Sequence, residues 1–227
     1  MIYAFKTDDS FQTLDEHVKL CLKALDKIKS SKLYSMKGLK DDLVRLMVLY
    51  HDIGKIFYQR SNVNMLRFTG HEFISAYIFN KILEQKLVGL IEEEHEFILY
   101  LYPIIFHHHS MGVRKRIEHL SKVKLIQPSE FQLEELKMML NNYLDKKYVK
   151  YTIEIIKSLN INKVRCFIKG EINKIFRMFH GEFARRCLQL LLILIICDYE
   201  GAKSRGKPTS FGRIIEELVK YYSVPRP

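Results

Sequence analysis

The residues best suited to chemistry are a histidine and an aspartate set side by side in His51-Asp52-Ile53-Gly54-Lys55. Imidazole is a borderline nitrogen ligand and carboxylate a hard oxygen one, so the pair offers a divalent cation both kinds from one backbone position. Further residues supply the same ligand types. His17 sits between Leu14 and Cys21 at helical spacing, His71 follows Gly70, His107-His108-His109 follow an apolar run, and Asp198 ends the run Leu190 to Cys197. A carboxylate closing so apolar a segment is costly to bury unless it is paired or bound to a metal. Each residue has a plainer reading alone: a satisfied core or capping histidine, a helix-end aspartate in water, a chance His-Asp dipeptide. Jointly they are a ligand set of consistent chemistry, each placed where a helix points inward, and a metal site is the expectation.

The elements that must position them read as helices. Leu14, Val18, Cys21, Leu22, Leu25 and Ile28 recur at three- and four-residue steps within a helix expected from Phe11 to Lys29. Leu43 to Tyr50 is densely apolar and ends at the His-Asp pair, where Gly54 can terminate a helix. Further helices are expected over His71 to Leu90, Glu93 to Phe106 around Pro103, Phe131 to Tyr148, Thr152 to Leu159, Asn162 to Phe179, Glu182 to Tyr199 and Phe211 to Tyr222. The expected loops are Ser30 to Lys40, Gln59 to Gly70, Ser110 to Glu118, Ile126 to Glu130 and Gly201 to Ser210. With no repeat and no Pro/Ser-rich linker, residues 1–227 read as one compact all-α domain, with about 120–180 as an appended helical layer.

Composition narrows the function classes. Ten glycines and five prolines in 227 residues argue against a turn-rich β design. The formal charge of +11 suits a polyanionic partner, though a lysine-rich surface is as good a reading of composition alone. Two basic clusters emerge next to candidate ligands: Arg114-Lys115-Arg116 after the histidine triplet, and Lys203, Arg205 and Lys207 after Asp198. Both are candidates for contact with a nucleic-acid backbone, the alternative being a solvated surface. Phe68 or Tyr58 could stack a base. His95, in a run of glutamates, and His119 and His180, among polar neighbours, have no partner motif. Four dispersed cysteines without a CxxC pair read as free thiols in a reducing cytoplasm. No apolar run approaches the ~20 residues that cross a bilayer, so no membrane association is expected. No G-x-x-x-x-G-K-[ST] phosphate loop is present, which excludes a helicase motor.

The order His17, His51-Asp52-Ile53-Gly54-Lys55, His71-Glu72-Phe73-Ile74-Ser75, His107-His108, Asp198 resembles the HD superfamily, and within it the HD nuclease of the CRISPR type I interference machinery. The resemblance implies a helical bundle with a two-metal site in its core. One ion would take His17, His51, Asp52 and Asp198; the other would take Asp52, His71, His107 and His108. It further implies cleavage of single-stranded DNA or RNA in antiviral defence, with a separate helicase subunit and effector complex as partners. Asp52 would bridge the ions, while Lys55 would neutralise phosphate charge or orient the water. A histidine-rich set favours Mn, Fe, Co or Ni over Mg. This chain departs from the family in having three adjacent histidines. Successive helical residues turn by about 100°, so the pair is His107-His108 or His108-His109, and the former is preferred. Two alternatives remain: an HD phosphohydrolase of small or cyclic nucleotides, and a catalytically silent nucleic-acid-binding subunit.

Overall fold

The computed structural model describes residues 1–35, 39–60, 63–86, 94–108, 112–120, 122–205 and 210–223. Among them a short antiparallel hairpin precedes everything else, formed by β1 (Tyr3–Lys6) and β2 (Phe11–Thr13). Helical periodicity from Phe11 does not foresee it. The first helix instead begins at Leu14, because Thr13 leaves the strand and caps it: the Thr13 hydroxyl accepts the Glu16 amide at 3.1 Å. Three residues of strand are too few for an alternating pattern to show against the helix that follows.

Helix α1 (Leu14–Ile28) buries Leu14, His17, Val18, Cys21, Leu22, Leu25 and Ile28 along one stripe. Helix α2 (Asp41–Tyr50) is buried at every position from Leu43 to Tyr50 except Arg45, as befits a helix surrounded by others. It leads into a 3-10 turn over Ile53–Tyr58. Then follow α3 (His71–Lys86), α4 (Glu94–Phe106), α5 (Val113–Leu120), α6 (Glu130–Asn141), α7 (Lys146–Lys157), α8 (Ile161–Met178), α9 (Gly181–Ala202) and α10 (Ser210–Ser223). A second 3-10 turn, Lys203–Arg205, prolongs α9.

Two expectations are corrected here. The single helix over Phe131 to Tyr148 is two helices, because the polar Asn142 and Asp145 stop α6 and start α7. The expected loop from Ser110 to Glu118 contains most of α5, a helix too short and too basic to declare itself. Its apolar residues Val113, Ile117 and Leu120 pack on the core, and Arg116 is buried among them.

Helix α2 packs against α1, α3, α4 and α9; α1 and α4 lie along α9, and α3 lies against α4 and the first 3-10 turn. Helices α7 and α8 pack on α3, and Tyr50 Oη shares a buried 2.7 Å hydrogen bond with Thr152 Oγ1 that ties α2 to α7. One apolar cluster runs from Ile2 to Ile215, each fully buried Leu, Ile or Phe in it contributing ~1.5–3 kcal/mol relative to exposure. This packing places the end of α2, the start of α3, the end of α4 and the interior faces of α1 and α9 around one point. Cys21, Cys187 and Cys197 are buried free thiols and Cys166 is an exposed one. No helix among the described residues is long and apolar enough to cross a membrane.

Candidate metal centre

Two glycines allow the elements to close on that point. A Cβ at Gly54 would come within 3.0 Å of the His71 carbonyl and the Ser75 amide, so only glycine lets the 3-10 turn lie against the first turn of α3. The Gly54 amide donates to Ser75 Oγ at 2.8 Å, which gives the serine of the His-x-x-x-Ser segment its role. A Cβ at Gly201 would collide with Cys21 Sγ and the His17 ring, so α9 can approach α1 at the level of His17 only without a side chain there.

The centre is ordered by backbone carbonyls. His51, His71 and His107 each direct Nδ1 at the carbonyl three residues earlier (Val48, Phe68 and Ile104) at 2.5 to 2.8 Å. A carbonyl only accepts, so Nδ1 carries the proton and the lone pair of Nε2 faces inward, the tautomer a metal ligand needs. His107 Nε2 is buried with no hydrogen-bond partner. The Nε2 atoms also crowd together: those of His17 and His51 lie 3.4 Å apart, and those of His71 and His108 lie 3.2 Å apart. Two nitrogens bound to one ion at about 2.1 Å, at angles between octahedral and tetrahedral, are separated by roughly 3.0–3.4 Å. The orphaned nitrogen and these spacings fit a cation better than they fit a hydrogen-bond network.

Asp52 divides its two oxygens between the histidines. Oδ1 lies 2.8 Å from His71 Nε2, whereas Oδ2 lies 3.1 Å from His17 Nε2 and 3.6 Å from His51 Nε2. Asp198 Oδ1 completes the second side at 3.2 Å from His17 and 3.6 Å from His51. Two groups of convergent ligand atoms result, Asp52-His71-His107-His108 and His17-His51-Asp52-Asp198, the atoms of each within 4.8 Å of one another. Asp52 belongs to both. Cys21 Sγ also lies close to His17 and His51, but burial, then Asp198 and Asp52, push its thiol upward and hold it protonated, which disfavours it as a ligand.

Electrostatics follow from burial. Asp52 loses solvation, yet Lys55, His51, His17 and His71 together hold its carboxyl well below the usual range. Burial likewise opposes charge on Asp198, and the nearby His17 and His51 outweigh it, holding its carboxyl well below the usual range. Desolvation lowers His107 to about 3 and His108 in the same direction, so both are neutral ligands at ordinary pH. Lys55, 5% exposed, donates to Asp52 Oδ2 at 2.5 Å and sits over the Phe68 ring at 5.3 Å. An opening of about 160 Å³ is lined by Phe68, His71 and His108, and so reaches the centre at His71 and His108.

Of the histidine triplet, the structure brings His107 and His108 to the centre; His109 lies outside the described residues. The helix ends at Phe106, so the two histidines follow a bend and are not separated by a helical turn of 100°. The basic clusters fare differently. Arg116 turns inward, 3% exposed, and donates to Glu72 Oε1 at 2.8 Å and to the Ile105 carbonyl. Arg205 also turns inward, donating to Gln12 at 2.6 Å and to His17 Nδ1 at 2.8 Å. Lys203 pairs with Glu200 and Glu216, and Lys115 is exposed on α5 with Arg114 its neighbour; Lys207 lies outside the described residues. Sequence shows that a residue is charged, not which way it faces. Tyr58 is buried, while Phe68 lines the opening over His71.

The HD domain family model matches residues 14–147, a span holding every candidate ligand except Asp198. The chain is 30% identical to the CRISPR-associated endonuclease Cas3-HD of Methanocaldococcus jannaschii, over 95% of this chain and 94% of that protein. It is 28% identical to the CRISPR-associated endonuclease Cas3-HD of Pyrococcus furiosus, over 92% of this chain and 97% of that one.

Proposed function

The chain belongs to the HD domain family, and from that premise we propose that it is a metal-dependent nuclease cleaving single-stranded nucleic acid in CRISPR antiviral defence. The observation that carries the reading is Asp52, whose two oxygens face two separate histidine groups. His17, His51, Asp52 and Asp198 would hold one divalent ion, and Asp52, His71, His107 and His108 the other. Such ions supply Lewis acidity at phosphate and a water acidic enough to attack near neutral pH. The nitrogen-rich donor set favours Mn, Fe, Co or Ni over Mg.

The chain's own residues do the rest. His51, His71 and His107 are pre-oriented by their carbonyl partners, so no rotamer search precedes binding. Lys55 holds its ammonium proton at Nζ, between Asp52 and the Phe68 ring, where a phosphate oxygen entering by the opening can accept it. The small opening admits a diester linkage of a flexible strand and keeps bulk water from the buried ligands. A separate helicase subunit and effector complex would supply the unwound strand, in the cytoplasm.

The test is a cleavage assay on labelled single strands of DNA and RNA across a panel of divalent metals, beside free mononucleotides and cyclic nucleotides. Strand cleavage that exceeds nucleotide turnover is expected, DNA preferred. Faster hydrolysis of the free nucleotides would transfer the site to the small-nucleotide reading.

A further inference from the structure

A second and larger cavity, of about 460 Å³, lies beside the metal centre, and no carboxylate lines it. Arg60, Arg67, Lys122 and Lys124 are among the residues that line it, from two separate segments of the chain. All four are exposed, and among the described residues none is ion-paired. Surface lysines elsewhere are of both kinds, Lys29, Lys40, Lys157 and Lys203 lying against an acidic partner and Lys19, Lys23 and Lys27 not; what sets this cavity apart is that four such cations meet around it with no carboxylate among them. Four cations around one concavity repel each other, and an anion placed among them relieves the repulsion. The cavity is also half apolar in character: Met65, 51% exposed, and Val123 give it a surface that plain phosphate would not use but a base or sugar would.

The cavity adjoins the opening to the centre. Thr69 lines both it and the opening over His71 and His108. Tyr58 on its wall meets the Phe68 ring edge-on at 6.1 Å, and Phe68 meets His71 at 6.3 Å.

We infer that this cavity is the anchoring subsite for the nucleotides that flank the scissile linkage, its four cations gripping the backbone while the apolar surface takes a base. The inference rests on the nuclease reading and moves strand binding away from Arg116 and Arg205, which the fold turns inward.

The experiment compares the full chain with a variant carrying Arg60→Gln, Arg67→Gln, Lys122→Gln and Lys124→Gln. A control variant carries Lys19→Gln, Lys23→Gln, Lys27→Gln and Lys150→Gln, which removes the same charge from exposed positions on other elements. Anisotropy of a labelled oligothymidylate, titrated with salt in the absence of metal, reads the binding. Hydrolysis of bis-p-nitrophenyl phosphate with metal, metal content and helical circular dichroism read the centre and the fold. For every backbone phosphate that the variant no longer neutralises, the slope of log affinity against log salt should flatten by about 0.7, or roughly fivefold in affinity at about 0.1 M salt. The groove variant should bind strands more weakly while the small diester and metal content stay unchanged; the control should keep its slope. A groove variant that binds like wild type, or no more weakly than the control, overturns the subsite and leaves the nuclease reading standing. A wild-type protein that hydrolyses the small diester but neither binds nor cuts strands overturns both. If the quadruple variant loses helicity, the pair Arg67→Gln and Lys124→Gln is the version to read, with half the change in slope.

Discussion

At the scale of single residues, Asp52 is the one side chain among the described residues that both ligand groups share, so its loss has a reach that no histidine change should match. Asp52→Ala is expected to leave both groups unable to hold a cation and to abolish cleavage. His17→Ala should empty mainly the group with Asp198, and His71→Ala mainly the group with His107 and His108. Metal stoichiometry by elemental analysis decides it, and an Asp52→Ala protein that keeps full metal and activity would sink the assignment. The convergence of these residues could be anticipated from the sequence because they occur jointly beside strongly apolar runs and in the order of the HD motif, although each alone has a plainer use. Their tautomers could not, because the carbonyls that fix Nδ1 on His51, His71 and His107 become available only once each helix end is formed. Burial also sets an acid limit. His107 lies at about 3 in the fold against about 6.5 for an unfolded histidine, and His108 is lowered too. Below about pH 6.5 the unfolded chain therefore binds more protons, so this stability is whole above that pH and drains as pH falls toward 3, on the order of 1 kcal/mol per pH unit for His107, with His108 adding in the same direction. Asp52 and Asp198, held well below the usual carboxylate range, add losses in the same direction below their unfolded value near 3.8. Urea unfolding of metal-free protein at about pH 7 and about pH 5 should show the decline, with a shallower one in His107→Asn. An equal midpoint at both would contradict it.

At the scale of elements, most helices were legible from their apolar positions, whereas the break between α6 and α7 and the whole of α5 were not. Helix α5 is eight residues long, and its three apolar positions are outnumbered by Arg114, Lys115, Arg116, Glu118 and His119. The hairpin of β1 and β2 was hidden because its Gln12 is buried: Gln12 Nε2 donates to the Gly201 carbonyl at 2.8 Å, a long-range partner that no local pattern reveals. Arg116 joins these two lessons. It ties α5 to α3 through a pair in which Arg116 and Glu72 are 3% and 2% exposed, next to the turn that carries His71. Removing one partner strands the other in a medium of low dielectric, so Arg116→Met should cost ~3–5 kcal/mol of stability. It should leave the salt slope of strand binding as it was, whereas a backbone contact would flatten that slope by about 0.7. Thermal or urea unfolding together with the salt titration separates the two roles. A stable Arg116→Met protein with a flattened slope would restore Arg116 to the strand-binding set.

At the scale of the whole molecule, a charge of +11 draws any polyanion toward the surface, so charge alone does not choose between strand and duplex. Access chooses. His17, His51, Asp52 and His71 are 0–3% exposed, whereas the Asp198 side chain is 27% exposed and His108 lines the opening of about 160 Å³ beside Phe68, so the shared Asp52 lies below the surface and only the outer ligands reach it. A reacting phosphate must therefore leave the surface of its own nucleic acid and enter between helices. A single strand can bend one linkage inward while its neighbours lie in the basic cavity lined by Arg67 and Lys124. A duplex resists bending over about 150 base pairs and presents its phosphates at a fixed radius, so it reaches the rim without reaching the ligands. A hairpin substrate carrying a single-stranded tail puts both forms on one molecule at one concentration. Cleavage should fall within the tail and stop short of the junction, with duplex and tail binding nearly equally well at low salt because both meet the same surface charge. Raising the salt should weaken binding to both while leaving the cutting positions fixed, since those are set by entry and not by attraction. Products that extend into the paired stem at a rate comparable to the tail, with the stem's melting excluded by a cross-link, would mean that the ligands are reachable from the surface and that the buried entry argued from their exposure is wrong.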